Sequence, residues 1–137
     1  MSKILIDTNI LVYGIDEDSA YFKRARKILE HEKNQLVTTS KNLIEFLAVT
    51  TKSTGYNLSS YTALEIVEEI IQGIEIIYPS HESLAIFLDL MNRYQPKGLK
   101  VHDFEIISIG LAHGVLEVAT LNTNDFKSVK EISLAKI

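Results

Sequence analysis

The chain contains no cysteine. That absence excludes a disulfide framework, a thiolate-bound zinc and a thiol nucleophile, and with them any positive argument for secretion. An excess of positive charge is missing too: 14 Lys and Arg stand against 18 Asp and Glu, a formal net charge of −4. Proteins that hold nucleic acid through bulk electrostatics are usually basic. The overall balance therefore argues against such a partner, unless the acids gather around cations that reverse the local sign. No apolar run approaches the length of a membrane span. Between Lys3 and Asp7 there are only three apolar residues, too few for a signal peptide. Internal repeats, low-complexity tracts and linker-like segments are lacking as well. What is left is a chain of 137 residues, 46% apolar and 23% charged, which suits a single soluble domain over residues 1–137, with a cytoplasmic location expected.

Apolar and turn-forming residues divide this domain into alternating elements. A short buried strand over residues 3–6 ends at Asp7, and a helical turn runs from Thr8 to a stop at Gly14. Asp16, Asp18 and Ser19 offer start signals for a helix over residues 19–31, with Phe22, Ala25, Ile28 and Leu29 at helical spacing. The β-branched run over residues 36–39 reads as a second strand. Ser40 then caps a mostly apolar helix over residues 41–52. A further helix starts at Ser59 or Ser60 and stops at Gly73, a third strand covers residues 75–78, and Ser80 begins a helix reaching Tyr94. Pro96 and Gly98 mark a loop. Asp103 opens a helix that stops at Gly114, a fourth strand covers residues 118–121, and residues 132–135 offer a fifth. Strands alternating with helices predict an α/β domain with a central, mainly parallel sheet of four to five strands.

In such a sheet the helices begin near the edge where the strands end, which is also where ligands bind, at the point where strand order reverses. Four acids fall toward that edge: Asp7 and Asp125 just after strands, Glu45 about a turn into its helix, and Asp103 at a helix start. Each has an ordinary explanation. Asp7 and Asp103 can be helix caps. Glu45 can sit at the rim of the fold or pair with Lys41 one turn back, although its apolar neighbours make an unpartnered burial costly. Asp125 lies among loop-forming Asn and Thr. Their shared edge is what these explanations leave out. Gathered carboxylates repel each other and imply a hard divalent cation, and a cation held this way suggests phosphate chemistry. Thr8, Asn9 and Asn122 add a hydroxyl and two amides that can orient a carboxylate or a bound water.

The segments Ile4-Leu5-Ile6-Asp7-Thr8-Asn9-Ile10-Leu11, residues 42–47 around Glu45, Val101-His102-Asp103-Phe104-Glu105-Ile106-Ile107 and residues 120–126 together resemble the PIN-domain ribonucleases, and among them the small VapC-like toxins of toxin–antitoxin pairs. The resemblance spans nearly the whole chain. It implies a three-layer α/β/α PIN-like fold, an acidic Mg2+ or Mn2+ site made by Asp7, Glu45, Asp103 and Asp125, supporting polar groups at Thr8 and Asn122, and cleavage of RNA. It further implies a homodimer and a cognate antitoxin whose tail covers the acidic cleft. Some members carry a basic residue just before the final Asn; this chain has Leu121 there.

No histidine is needed for this chemistry. His102 reads as a loop histidine, and His113 as a capping residue in the last turn of its helix. The densest basic run, Lys23-Arg24-Ala25-Arg26-Lys27, reads as a solvated helix face, whereas Lys97 and Lys100 precede Asp103 and are better placed to meet phosphates. Tyr13 and Tyr94 are candidate platforms for unpaired bases. Two rivals stand beside the nuclease reading. One is a PIN-like RNA-binding or scaffold module without catalysis. The other is a Mg2+-dependent phosphatase with an aspartyl nucleophile, which would need an acid where Asn9 stands.

Overall fold

The computed structural model describes residues 2–137. Five strands form one sheet in the order β3-β2-β1-β4-β5, every neighbouring pair parallel. They are β1 (Lys3–Ile6), β2 (Gln35–Thr39), β3 (Glu75–Ile77), β4 (Glu117–Ala119) and β5 (Ser133–Leu134). β1 is central, so its Ile4, Leu5 and Ile6 are buried on both faces, as a strand of an all-parallel sheet must be. The chain lays β2 and β3 on one side of β1, then returns to lay β4 and β5 on the other. Strand order therefore reverses between β1 and β4.

Alternation along β1 sends its side chains into two cores. Ile4 and Ile6 pack with residues of α1 (Thr8–Tyr13), α2 (Phe22–Leu29), α3 (Ser40–Thr51) and α4 (Ser60–Gly73). Leu5 packs on the opposite face with Leu90 of α5 (His81–Tyr94) and with Phe104 and Ile107 of α6 (Lys100–Ala112). The result is the expected three-layer arrangement. Within it α6 runs along α5 and is buried on nearly every side from Phe104 to Gly110. Gly110 makes this close packing feasible: a Cβ there would come 3.2 Å from Leu5 Cδ2 and 3.4 Å from the Val115 carbonyl. A glycine inside a helix costs backbone entropy, and here it lets α6 lie against the central strand.

Several boundaries differ from the sequence expectation, each for a local reason. The N-cap of α3 is Thr39, whose hydroxyl accepts from the Asn42 amide; Ser40 is already helical. Asp16 and Ser19 spend their oxygens on the nearby amides of Asp18 and Tyr21, so the chain turns before α2 begins at Phe22. Asp103 does not start α6. The helix begins one turn earlier at Lys100, after a turn through Gly98 at φ +64°, and Asp103 falls in its first turn. Residues read as a plain loop after β4 contain a short helix, α7 (Thr123–Phe126). No helix of the described residues is long and apolar enough to cross a membrane.

Core burial and surface pairing carry very different weights in this fold. Phe46 is fully buried in α3, so Phe46→Ala is expected to cost about 3–5 kcal/mol in urea unfolding. The Lys3–Glu75 ion pair spans 2.9 Å between half-exposed side chains, and Lys3→Ala is expected to cost less than about 1 kcal/mol in the same measurement.

Candidate functional site

Asp7 ends β1 and caps α1. Its backbone amide donates to the Ala119 carbonyl at 3.0 Å, which extends the β1–β4 pairing past the last ladder residue. The carboxylate is buried and held by three donors. The Thr8 amide reaches Oδ1 at 2.8 Å, while the Thr120 hydroxyl and the Asn9 amide nitrogen reach Oδ2 at 2.8 and 3.3 Å. A carboxylate offers about four acceptor positions, so one direction remains open to a ligand. Asn9 also donates to the Thr120 hydroxyl and accepts from the Leu121 amide at 3.1 Å. It thereby ties the start of α1 to the chain leaving β4.

The other three acids approach from different elements. Asp125 lies in α7, just beyond β4 and across the switch point from Asp7. Half-buried Asp103 lies in the first turn of α6, and Lys100 one turn ahead of it is near enough to favour its charge. Glu45 lies in the second turn of α3 and is exposed beside Ile44, itself 64% exposed. Glu45 thus stands at the rim and not in the interior: its apolar neighbours divide between the core, through Leu43 and Phe46, and the surface. Its suggested partner Lys41 instead pairs with Glu105 at 3.7 Å.

The electrostatics join these acids. Burial raises the Asp7 carboxyl above the ordinary carboxylate range; the Thr120 and Thr8 bonds oppose the rise, and the charges of Glu45 and Asp125 add to it. For Asp103, burial and then the charges of Asp7, Asp125 and Glu45 push the pKa up to about 7, against a smaller opposing effect of Lys100. Among the described residues none of the four carboxylates is in an ion pair. Nor do three acidic or histidine side chains converge tightly enough to hold an ion as they stand. The four share one field without forming a closed cage. An all-oxygen, water-accessible set of this kind matches what a hard divalent ion that retains water requires.

The supporting residues fare unequally. Thr8 accepts from the Asn42 side chain at 2.9 Å and gives its own amide to Asp7. Asn122 is exposed and contributes its backbone amide, at 3.0 Å from the Thr120 hydroxyl. Thr120 itself, buried and bonded directly to Asp7, was not singled out from the sequence. Its signal was a threonine at the end of an apolar strand, where a hydroxyl has no apolar reason to be. Lys97 is exposed in the loop ahead of α6. Tyr94 is no free stacking platform, because its ring packs on Phe104 with centroids 5.6 Å apart and its hydroxyl donates to Glu131. Tyr13 is likewise occupied by Tyr21, at 5.1 Å. His102 is exposed, and His113 Nδ1 lies 2.9 Å from the Ile109 carbonyl at the end of α6, as its capping role anticipates.

Comparison with known proteins adds the following. The family model described as PIN domain matches residues 4–132. No curated protein matches the chain. Similar folds occur in the structure of VapBC2 from Rickettsia felis bound to a promoter DNA fragment, at TM-score 0.73 and 20% identity over 96% of each chain. The Mycobacterium tuberculosis toxin VapC20, described as cleaving the sarcin–ricin loop, gives TM-score 0.73 at 9% identity, covering 93% of this chain and 95% of that one. FitAcB from Neisseria gonorrhoeae gives 0.68 at 18% identity, covering 97% and 96%. At these identities the likeness is one of fold.

The raised acids have a consequence for stability without metal. Asp103 and Asp7 bind protons more tightly folded than unfolded. Stability from this source is full below the ordinary carboxylate pKa and is lost as pH rises through about 7, the folded value for Asp103. In chelator, the melting temperature is expected to rise as pH is lowered from 8 to 5.5. Asp103→Asn should melt higher than wild type at pH 8 and show a flatter profile. Parallel profiles for the two proteins would contradict the assignment.

Proposed function

The chain belongs to the PIN domain family, and from that premise we propose that it is a metal-dependent endoribonuclease, the toxin of a toxin–antitoxin pair. The observation that carries this reading is that Asp7, Glu45, Asp103 and Asp125 lie near enough at the switch point of the sheet for their charges to add to the burial that raises Asp7 and Asp103. Four like charges raise each other's energy, and a divalent cation is the natural way to relieve that repulsion.

Asp7, Asp103 and Glu45 would hold one divalent ion, with Asp125 helping to hold it or a second ion brought with substrate. When bound, Mg2+ or Mn2+ supplies a lowered pKa for an attacking water and neutralises charge on the phosphodiester. The residues of the chain do the rest. Asp7, anchored by three donors, fixes one ligand direction before any ion arrives. Glu45 and Asp103 come from helices and lie nearer the solvent, so their carboxylates can adjust to the incoming ion. Lys100, near Asp103, and Lys97 in the preceding loop offer cationic contacts to the phosphates of a single strand. No acid follows two positions after Asp7, and the amide of Asn9 is bonded to Asp7, Thr120 and Leu121. An aspartyl-nucleophile phosphatase would lack its general acid.

A protein partner is part of the same reading. Structures sharing this fold include a toxin–antitoxin complex from Klebsiella pneumoniae and DNA-bound VapBC from Salmonella typhimurium. The chain has apolar surface to offer: Tyr61, Leu64 and Ile71 of α4 are exposed while Ala63 and Val67 face the core. Leu64 and Ile71 neighbour the buried Val67 at helical spacing, so the apolar stripe of α4 runs from the core out to the surface. An antitoxin and a second copy of the chain are the two partners proposed.

The test is cleavage of short single-stranded RNAs with Mn2+, with Mg2+ and in chelator. Wild type is expected to cut only with metal, and Asp7→Asn and Asp125→Asn to lose at least about 100-fold in rate. Mn2+ at about 100 times its Kd is expected to stabilise wild type by about 2.7 kcal/mol. Undiminished cleavage by Asp7→Asn would overturn the proposal. A wild type that binds RNA but never cuts it would favour the non-catalytic module.

A further inference from the structure

We propose that Asn42 is a positioning residue for the acidic site, setting where Glu45 stands relative to Asp7; this rests on the divalent-ion reading above. Asn42 and Thr39 are fully buried and Thr8 nearly so. The Asn42 side-chain oxygen accepts from the Thr39 amide at 3.2 Å and from the Thr39 hydroxyl at 2.7 Å, which closes a reciprocal cap on α3. Its amide nitrogen has a separate, long-range task. It donates at 2.9 Å to the hydroxyl of Thr8, 34 residues away in sequence. Thr8 in turn gives its backbone amide to Asp7 Oδ1 at 2.8 Å. Glu45 follows Asn42 by three positions in the same helix, so the two project from neighbouring turns of one side. A short chain of bonds thus runs from the helix that carries Glu45 to the strand end that carries Asp7.

Capping alone does not call for an asparagine here. The same protein closes α5 with the reciprocal pair Ser80 and Ser83, the Ser80 amide donating to Ser83 Oγ at 2.7 Å and the Ser83 amide to Ser80 Oγ at 3.0 Å. A serine at the third helical position is therefore a sufficient cap in this fold. What asparagine adds is a donor long enough to cross to the β1–α1 corner. That donor is placed in the interior, where an unmatched polar group is costly, and its bond joins the two elements that must hold a fixed separation if their carboxylates are to share an ion.

Asn42→Ser separates the two roles, because it keeps a capping oxygen and loses the reach to Thr8. Titration calorimetry with Mn2+ alone is expected to show its Kd weakened about tenfold, the low end for residues behind a metal ligand. Ser83→Ala is the control: it should lower the melting temperature in chelator through loss of a cap, yet leave the Mn2+ Kd within about twofold. Thr8→Val breaks the same bond from the other side while keeping the amide that holds Asp7. It should weaken Mn2+ to a similar degree, and combining it with Asn42→Ser should add little. Equal Mn2+ affinity in wild type and Asn42→Ser, or an equal loss in Ser83→Ala, would overturn the inference and leave the proposed function standing. Absence of Mn2+ binding by wild type would overturn both.

Discussion

A buried carboxylate at the end of the central strand sets the terms for everything around it. Asp7 has left water, and an ionised group in that position is tolerable only if donors replace the lost hydration. The protein supplies them from three sources: its own next amide, a side chain of the helix that follows, and a hydroxyl at the end of β4. Two of these belong to the first residues of α1, and the third follows directly on β4, more than a hundred residues later. Satisfying the acid therefore also fastens the two strands between which sheet order reverses. The cleft edge and its first ligand direction are made by the same bonds.

Those bonds do not neutralise the acid. The Thr8 and Thr120 contacts favour its charge, but burial and the neighbouring carboxylates outweigh them. At Asp103 burial and the same neighbouring carboxylates also raise the carboxyl, and there only Lys100 opposes the rise. The site thus stores repulsion that a cation would release, and the surface ion pairs elsewhere, such as Arg26 with Glu30 and Arg93 with Asp89, are spent away from it. Read this way, the net charge of −4 is a poor guide to partners. Local sign at the cleft depends on what is bound there, and phosphate groups would meet the acids together with their counter-ion.

How much of this could be read from the sequence follows from which signals are local. The alternation of strands and helices was legible because each element carries its own apolar period and its own stop, as at Gly73 and Gly114. The shared edge of the four acids was legible because in a parallel sheet connectivity alone fixes which end each element presents. Burial of single side chains was not. Glu45 looked enclosed by apolar residues, yet a helix covered by a core on one side only leaves Ile44 and Glu45 outside together. Long-range polar bonds were also hidden. Thr120 and Asn42 find their partners across the fold, and nothing in their immediate neighbours announces it. The start of α6 was misplaced because an aspartate preceding an apolar run looks like a cap, while the real start follows a glycine turn with no side-chain cap at all.

The gap between neighbouring acids and a closed cage has a physical sense of its own. A site built rigidly to ligand distance around four carboxylates would have to bear their full repulsion whenever the ion is away, and that cost would fall on folding. Here only Asp7 is held fast, in the interior at the end of the central strand. Asp103 and Asp125 are half-buried on short or newly begun helices, and Glu45 stands in solvent. Water screens the more exposed members, so repulsion stays bearable, and on the proposed reading their approach to a common point would be part of binding a cation. The ion-free chain then needs no more than a scaffold that keeps the four backbones in register. The hydrogen bonds of Thr8, Asn9, Asn42 and Thr120 supply that restraint for the ends of β1 and β4 and the start of α3, and core packing holds α6 beside them.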